Sequence, residues 1–188
     1  MPLIREIIAA TLAADGTPHL APLGLIAGDD DGRRWIAAPF HPSTTLANLR
    51  AVPELVANYV DDVRIFAGCL TGRRDFPLLA ADHVRPPRLA SALAHAELRV
   101  VAIEEDEARP RFHCETVHEA SHAPFRGFNR AQAAVIEAAI LVSRRHLLPP
   151  ETIAEEMRRL RVAVSKTAGP REATAWEWLT MALGVDCK

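Results

Sequence analysis

The sequence predicts an α+β protein, in which a six-stranded β-barrel is followed by a small three-helix C-terminal domain. From Leu3 to about Glu119, short apolar segments alternate with turn residues, a pattern typical of β-structure. After Pro124 the apolar residues recur at helical spacing, which favours helices. The 188 residues are 49% hydrophobic, enough for one ample core or two small domains. We therefore expect one domain at residues 1–123 and another at 124–188.

The first domain contains segments with the length and composition of strands. They are residues 4–13, 19–27, 34–39, 55–60, 97–103 and 111–117. Asp15-Gly16, residues 28–32, Pro53 and Arg109-Pro110 provide the turns, and their residue types favour chain reversal. Six strands with alternating faces leave bondable edges unless the sheet closes on itself, so we expect a small closed barrel. Helices are predicted at residues 44–51 and 88–94, both too short for a parallel βαβ series.

The second domain has helix start and stop signals. Asn129 precedes an apolar stripe and has Gln132 three residues later, a pattern resembling a capping box. Pro149-Pro150 ends that helix and begins the next, and Gly169-Pro170 separates the second from a third helix that runs to Gly184. A unit this small buries little by itself. We expect it to pack on the barrel or on a second subunit.

Composition argues against several classes of partner. Twenty-two Lys and Arg residues against 24 Asp and Glu residues give a formal charge of −2, and no basic stripe offers a surface for nucleic acid. No segment approaches the roughly 20 apolar residues of a membrane span. Cys69, Cys114 and Cys187 are odd in number and have no CxxC spacing, which fits reduced thiols in a cytoplasm. We expect a cytoplasmic protein that binds neither nucleic acid nor membranes.

The segment most indicative of chemistry is residues 38–49. Ser43, Thr44 and Thr45 begin a predicted helix directly after a strand. The first backbone N–H groups of a helix have no intrahelical partner and lie at the positive end of its dipole. Together with hydroxyls they form an anion site that needs no lysine. The alternative is that Ser43 only caps the helix and no ligand binds, because hydroxyl N-caps are common.

Two other polar groups allow different interpretations. His113, Cys114, His118 and His122 are close in sequence, and the last two would share a helix face at a spacing that suits zinc. Residues 111–117 read as a strand, however, so His113 and Cys114 face opposite sides and cannot ligate one ion. We therefore expect no metal. Asp61-Asp62 is either a carboxylate pair for acid and base chemistry or, as we favour, the cap of a turn between strands.

Several motifs in order along the chain resemble a known family. Split-barrel flavoproteins place the FMN phosphate in a Ser/Thr-rich turn followed by Asn-Leu or Asn-Ile, and residues 43–49, SerThrThrLeuAlaAsnLeu, are similar to that turn. The other motifs are residues 21–25, Pro39-Phe40, residues 58–62 with Phe66, and Phe128-Asn129-Arg130. Together they resemble domain-of-unknown-function family four hundred and forty-seven (DUF447), which consists of FMN-binding split barrels with a helical C-terminal domain.

The resemblance implies FMN as cofactor and a set of binding residues. Ser43, Thr44, Thr45 and Asn48 would hold the phosphate and ribityl chain, with Phe40 and His41 just before them. The backbone of Pro22, Leu23 and Gly24 would lie at the isoalloxazine edge, and Asn58 and Asp61 are second-line candidates.

The sequence leaves open which cation neutralises the phosphate. Related barrels often add a lysine or arginine, whereas Arg50 lies seven residues after Ser43, about two helical turns away. Arg126, Arg130 and Lys166 are the other candidates. Each has an alternative interpretation as a surface residue or a helix-end charge.

The resemblance favours an FMN-dependent oxidoreductase that acts on a small molecule not identified by the sequence. A flavin-binding protein without catalysis and a flavinless interaction module are the alternatives. Family members occur in organisms with tetrahydromethanopterin-linked one-carbon chemistry, which suggests a pterin-related substrate. The resembled proteins pair so that a second subunit completes the flavin pocket, so we also expect a homodimer.

Overall fold

The computed structural model describes residues 2–29 and 32–184, which form two compact units. The barrel unit comprises the described residues up to Val60 together with Phe76–Pro124. The helical unit comprises Asp61–Asp75 together with the described residues from Phe125 onward. Segment 61–75 thus lies in the helical unit, inside the range 1–123 that the sequence predicts for the barrel. Cys187 lies outside the described residues.

The barrel unit is a closed antiparallel barrel. Its strands are β1 (Ile4–Leu12), β2 (Pro18–Ala27), β3 (Arg34–Ala37), β4 (Glu54–Tyr59), β7 (Ala94–Glu104) and β8 (Arg111–Ser121). Between β4 and β7 the short strands β5 (Leu78–Leu79) and β6 (Arg88–Leu89) form a separate two-stranded sheet. The order β1-β2-β3-β8-β7-β4 closes where β4 pairs with β1. The predicted six-stranded barrel is confirmed, because closure leaves none of these six strands with an open edge.

The barrel interior is filled by the inward-facing side chains, which are every second residue along each strand. Ile7, Leu25, Leu98 and Phe112 are fully buried in one apolar core, as the alternation of side chains along a strand requires. Helix α1 (Thr44–Ala51) follows β3 and adds Leu46 and Leu49 to this core. The start of α1 is therefore held in place by core packing.

The helical unit contains α2 (Arg64–Leu70), α3 (Arg130–Ser143), α4 (Pro150–Thr167) and α5 (Pro170–Leu183). Asn129 caps α3 as predicted, accepting a hydrogen bond from the N–H of Ala131. The predicted capping box is wrong, because the Gln132 amide donates instead to the Asp61 carbonyl and the Glu172 carboxylate, at 3.0 and 3.1 Å. None of the described helices is both long and apolar enough to cross a lipid bilayer.

Two short segments differ from what the sequence predicts. The helix predicted at residues 88–94 is wrong. The N–H of Leu89 donates to Oδ1 of Asn58 at 2.8 Å, and the N–H of Leu93 donates to the Tyr59 carbonyl at 2.9 Å. Bonded in this way to Asn58 and Tyr59, the segment forms the short strand β6 followed by a turn that leads into β7. Conversely, α2 was not predicted, although Asp62 accepts from the N–H of Arg64 at its start.

Candidate functional site

The hydroxyl cluster begins α1 as the sequence predicts. Ser43 is the N-cap, and its Oγ accepts a hydrogen bond from the N–H of Leu46 at 3.2 Å. The N–H groups of Thr44 and Thr45 have no partner inside the helix. Thr44 is exposed, whereas Thr45 is only 5% exposed. The free donors at this helix start are therefore two backbone N–H groups and the Thr44 hydroxyl.

Asn48 lies on the inner side of the same helix. It is buried, and its Nδ2 donates to Oγ1 of the buried Thr11 on β1 at 3.0 Å. This bond attaches α1 to the barrel wall. The structure thus gives Asn48 a role in fixing the helix, and its expected contact with the ribityl chain stays a prediction.

An arginine that the sequence analysis missed lies at the turn before α1. The Arg109 guanidinium donates from Nε and Nη2 to the Ala38 carbonyl, at 3.1 and 2.8 Å. Its Cζ also lies 4.2 Å from the ring centroid of Phe40, within cation–π range. The N–H of His41 donates to the Ala108 carbonyl at 2.9 Å. Residues 38–41 and 108–109 therefore form one connected turn region that carries a positive charge.

Arg50 is already engaged by a carboxylate. Its Nη1 and Nη2 donate to Oε1 and Oε2 of Glu105, at 3.0 and 2.7 Å, a two-point geometry typical of strong Arg–carboxylate pairs. The hydrogen bonds that Arg50 donates to Glu105 raise the pKa of Arg50. Arg126, Arg130 and Lys166 are exposed residues of the helical unit. Of the cations considered, Arg109 is the one that the structure attaches to the turn before α1.

Pro22, Leu23 and Gly24 lie in the middle of β2, opposite Ile8, Ile7 and Glu6 of β1. On the other side of β2, Leu25 pairs with Ala37 of β3. The pairing of β2 with β3 ends there, so Gly24 and Ala38 directly adjoin the last paired residues. The predicted isoalloxazine strand and the turn before α1 are therefore neighbours.

Position 24 is crowded by side chains of the neighbouring strand β1. A Cβ built there would lie 3.0 Å from Cγ2 of Ile4 and 3.4 Å from Oε1 of Glu6. Ile4 is itself half exposed. The side chains of Ile4 and Glu6 thus pack over Gly24, and the half-exposed Ile4 gives this part of β2 an apolar surface.

Asn58 is fully buried and fully engaged. Its Nδ2 donates to the carbonyls of Ile8 and Val56, at 3.0 and 3.4 Å, and its Oδ1 accepts from the N–H of Leu89 at 2.8 Å. Asn58 therefore links β1, β4 and β6. Its predicted contact with a cofactor stays untested, but the side chain has a structural role.

Asp61 and Asp62 both belong to the helical unit. The predicted turn between two strands is wrong, because α2 follows directly. Asp62 forms an ion pair with Arg64 at 2.6 Å. Burial raises the pKa of Asp62, but the hydrogen bonds and charge of Arg64 outweigh it and leave the pKa lowered. This pair stabilises the start of α2, and cofactor binding by Asp61 stays a prediction.

His113, Cys114 and His118 lie on β8, and His122 directly follows it. Cys114 is buried and His113 is on the outer side, so strand alternation separates them as expected. Strand β8 continues to Ser121, and the shared helix face of His118 and His122 is therefore wrong. His118 instead lies opposite Glu97 of β7, in a second polar cluster that the sequence analysis missed.

A cavity of about 610 Å³ is lined by residues that include Leu3, Arg5, Gly28, Trp35 and Tyr59. They belong to the beginning of β1 and the end of β2 and their neighbours. Helix α1 is bonded to Thr11 at the other end of β1. The cavity is thus remote from the hydroxyl cluster at residues 43–45, and we do not assign the phosphate to it.

Two family models match the chain. The model described as "Protein of unknown function (DUF447) N-terminal domain" matches residues 5–123. The model described as "Protein of unknown function (DUF447)" matches residues 129–181. No curated protein matches the chain in sequence.

Solved structures share the fold. An FMN-bound protein of Methanosarcina mazei, also described by the DUF447 model, is 22% identical, with 97% of this chain and 96% of that chain covered and a TM-score of 0.82. The 2-nitrobenzoate 2-nitroreductase of Pseudomonas fluorescens is 22% identical over 63% of this chain and 65% of that chain, with a TM-score of 0.55. The flavoredoxin of Desulfovibrio vulgaris (Miyazaki F) is 9% identical over 63% and 70%, also at 0.55. The barrel thus has the split-barrel fold of flavoproteins.

Proposed function

The chain belongs to the DUF447 family, and from this premise we propose that it is a flavoprotein that binds FMN with the phosphate at the start of α1. The observation that carries the proposal is the group of unpaired donors at Thr44 and Thr45, directly after a turn that holds Arg109. The FMN-bound protein of Methanosarcina mazei, which shares the fold over nearly the whole chain, supports FMN as the ligand.

The residues present fit a phosphate dianion. Two backbone N–H groups and the exposed Thr44 hydroxyl are available at the positive end of the α1 dipole. Both Nε and Nη2 of Arg109 donate to the Ala38 carbonyl, which leaves Nη1 as a further donor. Arg109 is our candidate for the cation that neutralises the phosphate, in place of Arg50, whose guanidinium binds Glu105.

The neighbouring strand fits a flat aromatic ring. At Pro22 and Gly24 the strand β2 carries no long side chain, the half-exposed Ile4 packs over Gly24, and Phe40 in the turn before α1 is 49% exposed. Such surfaces bind a planar cofactor by excluding water from its ring. In this arrangement Asn48 acts by holding α1 against Thr11, so it fixes the phosphate site and does not contact the ring.

FMN, when bound, supplies hydride or electron transfer, and the protein supplies binding, orientation and shielding. We propose that the chain is an oxidoreductase acting on a small molecule. The similar fold of a protein named as a nitroreductase supports a redox role. A pterin-related substrate and a cytoplasmic location stay predictions from the resemblance.

We also propose that the protein is a homodimer. The neighbouring strands β7 and β8 expose Val101, Ile103 and Val117 on the barrel surface, and apolar exposure of this kind favours a protein interface. Sedimentation of the FMN-loaded protein at micromolar concentration tests this. A dimer that Ile103→Lys converts to a monomer supports the proposal, and a wild-type monomer contradicts it.

The experiment that tests FMN binding compares Arg109 with Arg50, whose partner Glu105 lies four residues before Arg109 in the chain. Arg109→Gln and Arg50→Gln are titrated with FMN and with riboflavin, and flavin fluorescence is measured. We expect Arg109→Gln to weaken FMN alone, by about tenfold or more, because a charge-assisted bond to the phosphate is lost. Arg50→Gln serves as the matched control and should change neither affinity. Equal loss of FMN and riboflavin in Arg109→Gln would show that Arg109 acts only through the turn.

Catalysis is tested separately. The FMN-loaded protein is mixed with a reduced nicotinamide or deazaflavin donor without oxygen, and bleaching of the flavin absorbance is followed. Reduction at a rate above that of free FMN supports an oxidoreductase. An FMN-loaded protein that is reduced no faster than free FMN with either donor supports a flavin-binding protein without catalysis.

A further inference from the structure

A cluster of metal-ligating side chains lies in the barrel unit, on the side of β7 and β8 that faces away from the barrel core. It comprises Asp82, His95, Glu97 and His118, and one ligand atom of each lies within 4.8 Å of every other. We propose that these four side chains bind a divalent cation of the zinc type. Two imidazoles and two carboxylates are a ligand set that Zn²⁺ accepts in tetrahedral sites.

One half of the proposed site is rigid. His95 and Glu97 are two residues apart on β7, so they share one face of the strand, and both side chains are fully buried. Nε2 of His95 lies 3.2 Å from Oε1 of Glu97. Two ligands at about 2.1 Å from a tetrahedral zinc ion are about 3.4 Å apart. This pair thus has nearly the separation that a shared ion requires.

The Glu97 carboxylate is held in one orientation by the backbone. Its Oε2 accepts from the N–H groups of His83 and Val84, at 2.6 and 2.9 Å, and its Oε1 accepts from the N–H of Asp82 at 2.8 Å. Each carboxylate oxygen can accept two bonds. The remaining acceptor position on Oε1 faces Nε2 of His95 at 3.2 Å, a hydrogen bond when Nε2 carries the proton. A cation bound here would take the place of that proton.

A second histidine orients His95. Its Nδ1 lies 2.9 Å from Nε2 of His122, and the two rings are stacked within 9° of parallel. When Nδ1–H of His95 donates to His122, the lone pair of Nε2 is free for a metal ion. Metal-bound histidines commonly donate their other ring N–H in this way, which fixes the tautomer and the ring.

The other half of the proposed site can adjust. Nε2 of His118 lies 3.5 Å from Oδ2 of Asp82, close to the same tetrahedral separation. The two side chains are 30% and 68% exposed, so they can move toward His95 and Glu97 without disturbing the core. The longest separation of 4.8 Å closes by about 1.4 Å in a tetrahedral centre, which is within reach of these two side chains.

A hydrogen-bonding role alone accounts for only part of this cluster. Glu97 holds residues 82–84 through their backbone N–H groups, and that role needs neither the Asp82 carboxylate nor the His118 ring. These two side chains nevertheless converge on the buried pair. Four protein ligands leave no open position on the ion, so we expect a structural site that stabilises the fold.

The proposed metal site is separate from the proposed flavin site. Pro22 pairs with Ile8, Ile8 with Asn58, and Asn58 with His95. His95 is thus three strands from Pro22, about 14 Å along the sheet at the usual strand spacing. The two proposals can therefore fail independently.

The test uses the full chain without an affinity tag, stripped with a chelator and titrated with Zn²⁺ by calorimetry. The variants are His118→Ala and, as a matched control on the same strand, His113→Ala, whose ring is on the outer side near Glu104. We expect one Zn²⁺ per chain at micromolar or tighter affinity in wild type and in His113→Ala. His118→Ala should bind Zn²⁺ at least about tenfold more weakly. Removing a residue that only supports a metal ligand already lowers metal affinity by about tenfold or more, and removing the ligand itself should cost no less.

Three further measurements make the outcome decisive. Zn²⁺ should raise the melting temperature of wild type, since a ligand that binds the folded state stabilises it, and Co²⁺ should give visible bands of a tetrahedral centre. Asp82→Asn should weaken binding in the same direction, which covers the case that His118→Ala does not fold. The proposal is overturned if wild type takes up no Zn²⁺, or if His118→Ala and Asp82→Asn bind as tightly as His113→Ala.

Discussion

Replacement of Thr44 by alanine separates a phosphate site from a simple helix cap. Thr44 is exposed at the first turn of α1, and the hydroxyl that caps the helix belongs to Ser43. The substitution therefore removes a donor to a ligand and leaves the helix cap in place. Thr45→Ala is a poorer test because Thr45 is buried, and Ser43→Ala costs about 1 kcal/mol of stability through the lost cap.

The size of the effect follows from these contacts. A hydrogen bond to a charged group contributes roughly 1.5–3 kcal/mol, which corresponds to a loss of FMN affinity of about tenfold to a hundredfold. Surface substitutions away from special features change the free energy of unfolding by at most about 0.5 kcal/mol. We therefore expect Thr44→Ala to lose FMN affinity with almost unchanged stability.

The assay is a titration of wild type and Thr44→Ala with FMN and with riboflavin, which lacks the phosphate. Urea unfolding without ligand provides the stability of both proteins. We expect the variant to differ from wild type with FMN only. The reasoning is refuted if FMN and riboflavin weaken equally, or if neither changes, because the start of α1 then does not hold the phosphate.

Other residues give further predictions. Asn58→Ala should lower the free energy of unfolding by about 2–4 kcal/mol, since it leaves buried backbone groups unpaired. Urea unfolding measures this change. Unchanged stability together with weaker FMN binding would instead make Asn58 a ligand residue. Burial raises the pKa of Cys69 to about 11 and of Cys114 to about 12. With the third cysteine replaced by serine, a disulfide reagent at pH 8 should react only after denaturation. The lowered pKa of Asp62 beside Arg64 stabilises the fold above the unfolded pKa of about 3.9, and this stability is lost as pH falls through the folded pKa. Asp62→Asn should therefore lose stability at pH 7 and progressively less as the pH falls below about 3.9, and a loss that does not change with pH would refute the pairing.

The barrel was predictable because its signals are local. Short alternating segments and turn residues can be recognised from a few consecutive positions. Closure of the sheet into a barrel follows from the need to cover strand edges. The same is true of the α1 cap at Ser43 and the α3 cap at Asn129. These elements depend on residues that are neighbours in sequence.

The elements that sequence reasoning missed depend on distant contacts. Arg109 contacts the Ala38 carbonyl across 71 positions, and no local pattern indicates this. Residues 88–94 form the strand β6 and a turn because Leu89 bonds to Asn58, 31 positions away. The sequence places an amide at position 58, but it does not show whether the Asn58 side chain binds a ligand or buried backbone groups.

The His95 cluster was missed for a simpler reason. The strand was predicted from residue 97, whereas β7 begins at Ala94, so His95 was left outside it and its shared face with Glu97 went unnoticed. His118 was compared with His122 at helical spacing, although β8 continues to Ser121. Strand ends are set by pairing with neighbouring strands, which composition alone does not reveal.

The most direct test of the central claim is calorimetric titration of the wild-type chain, freed of any flavin carried through purification, with FMN and riboflavin in turn. The account predicts that one FMN binds per chain and that riboflavin binds at least about tenfold more weakly, since it lacks the group that the start of α1 and Arg109 recognise. Absence of heat and of a fluorescence change with FMN would contradict the assignment of this protein as a flavoprotein. Equal affinity for the two flavins would contradict the phosphate site.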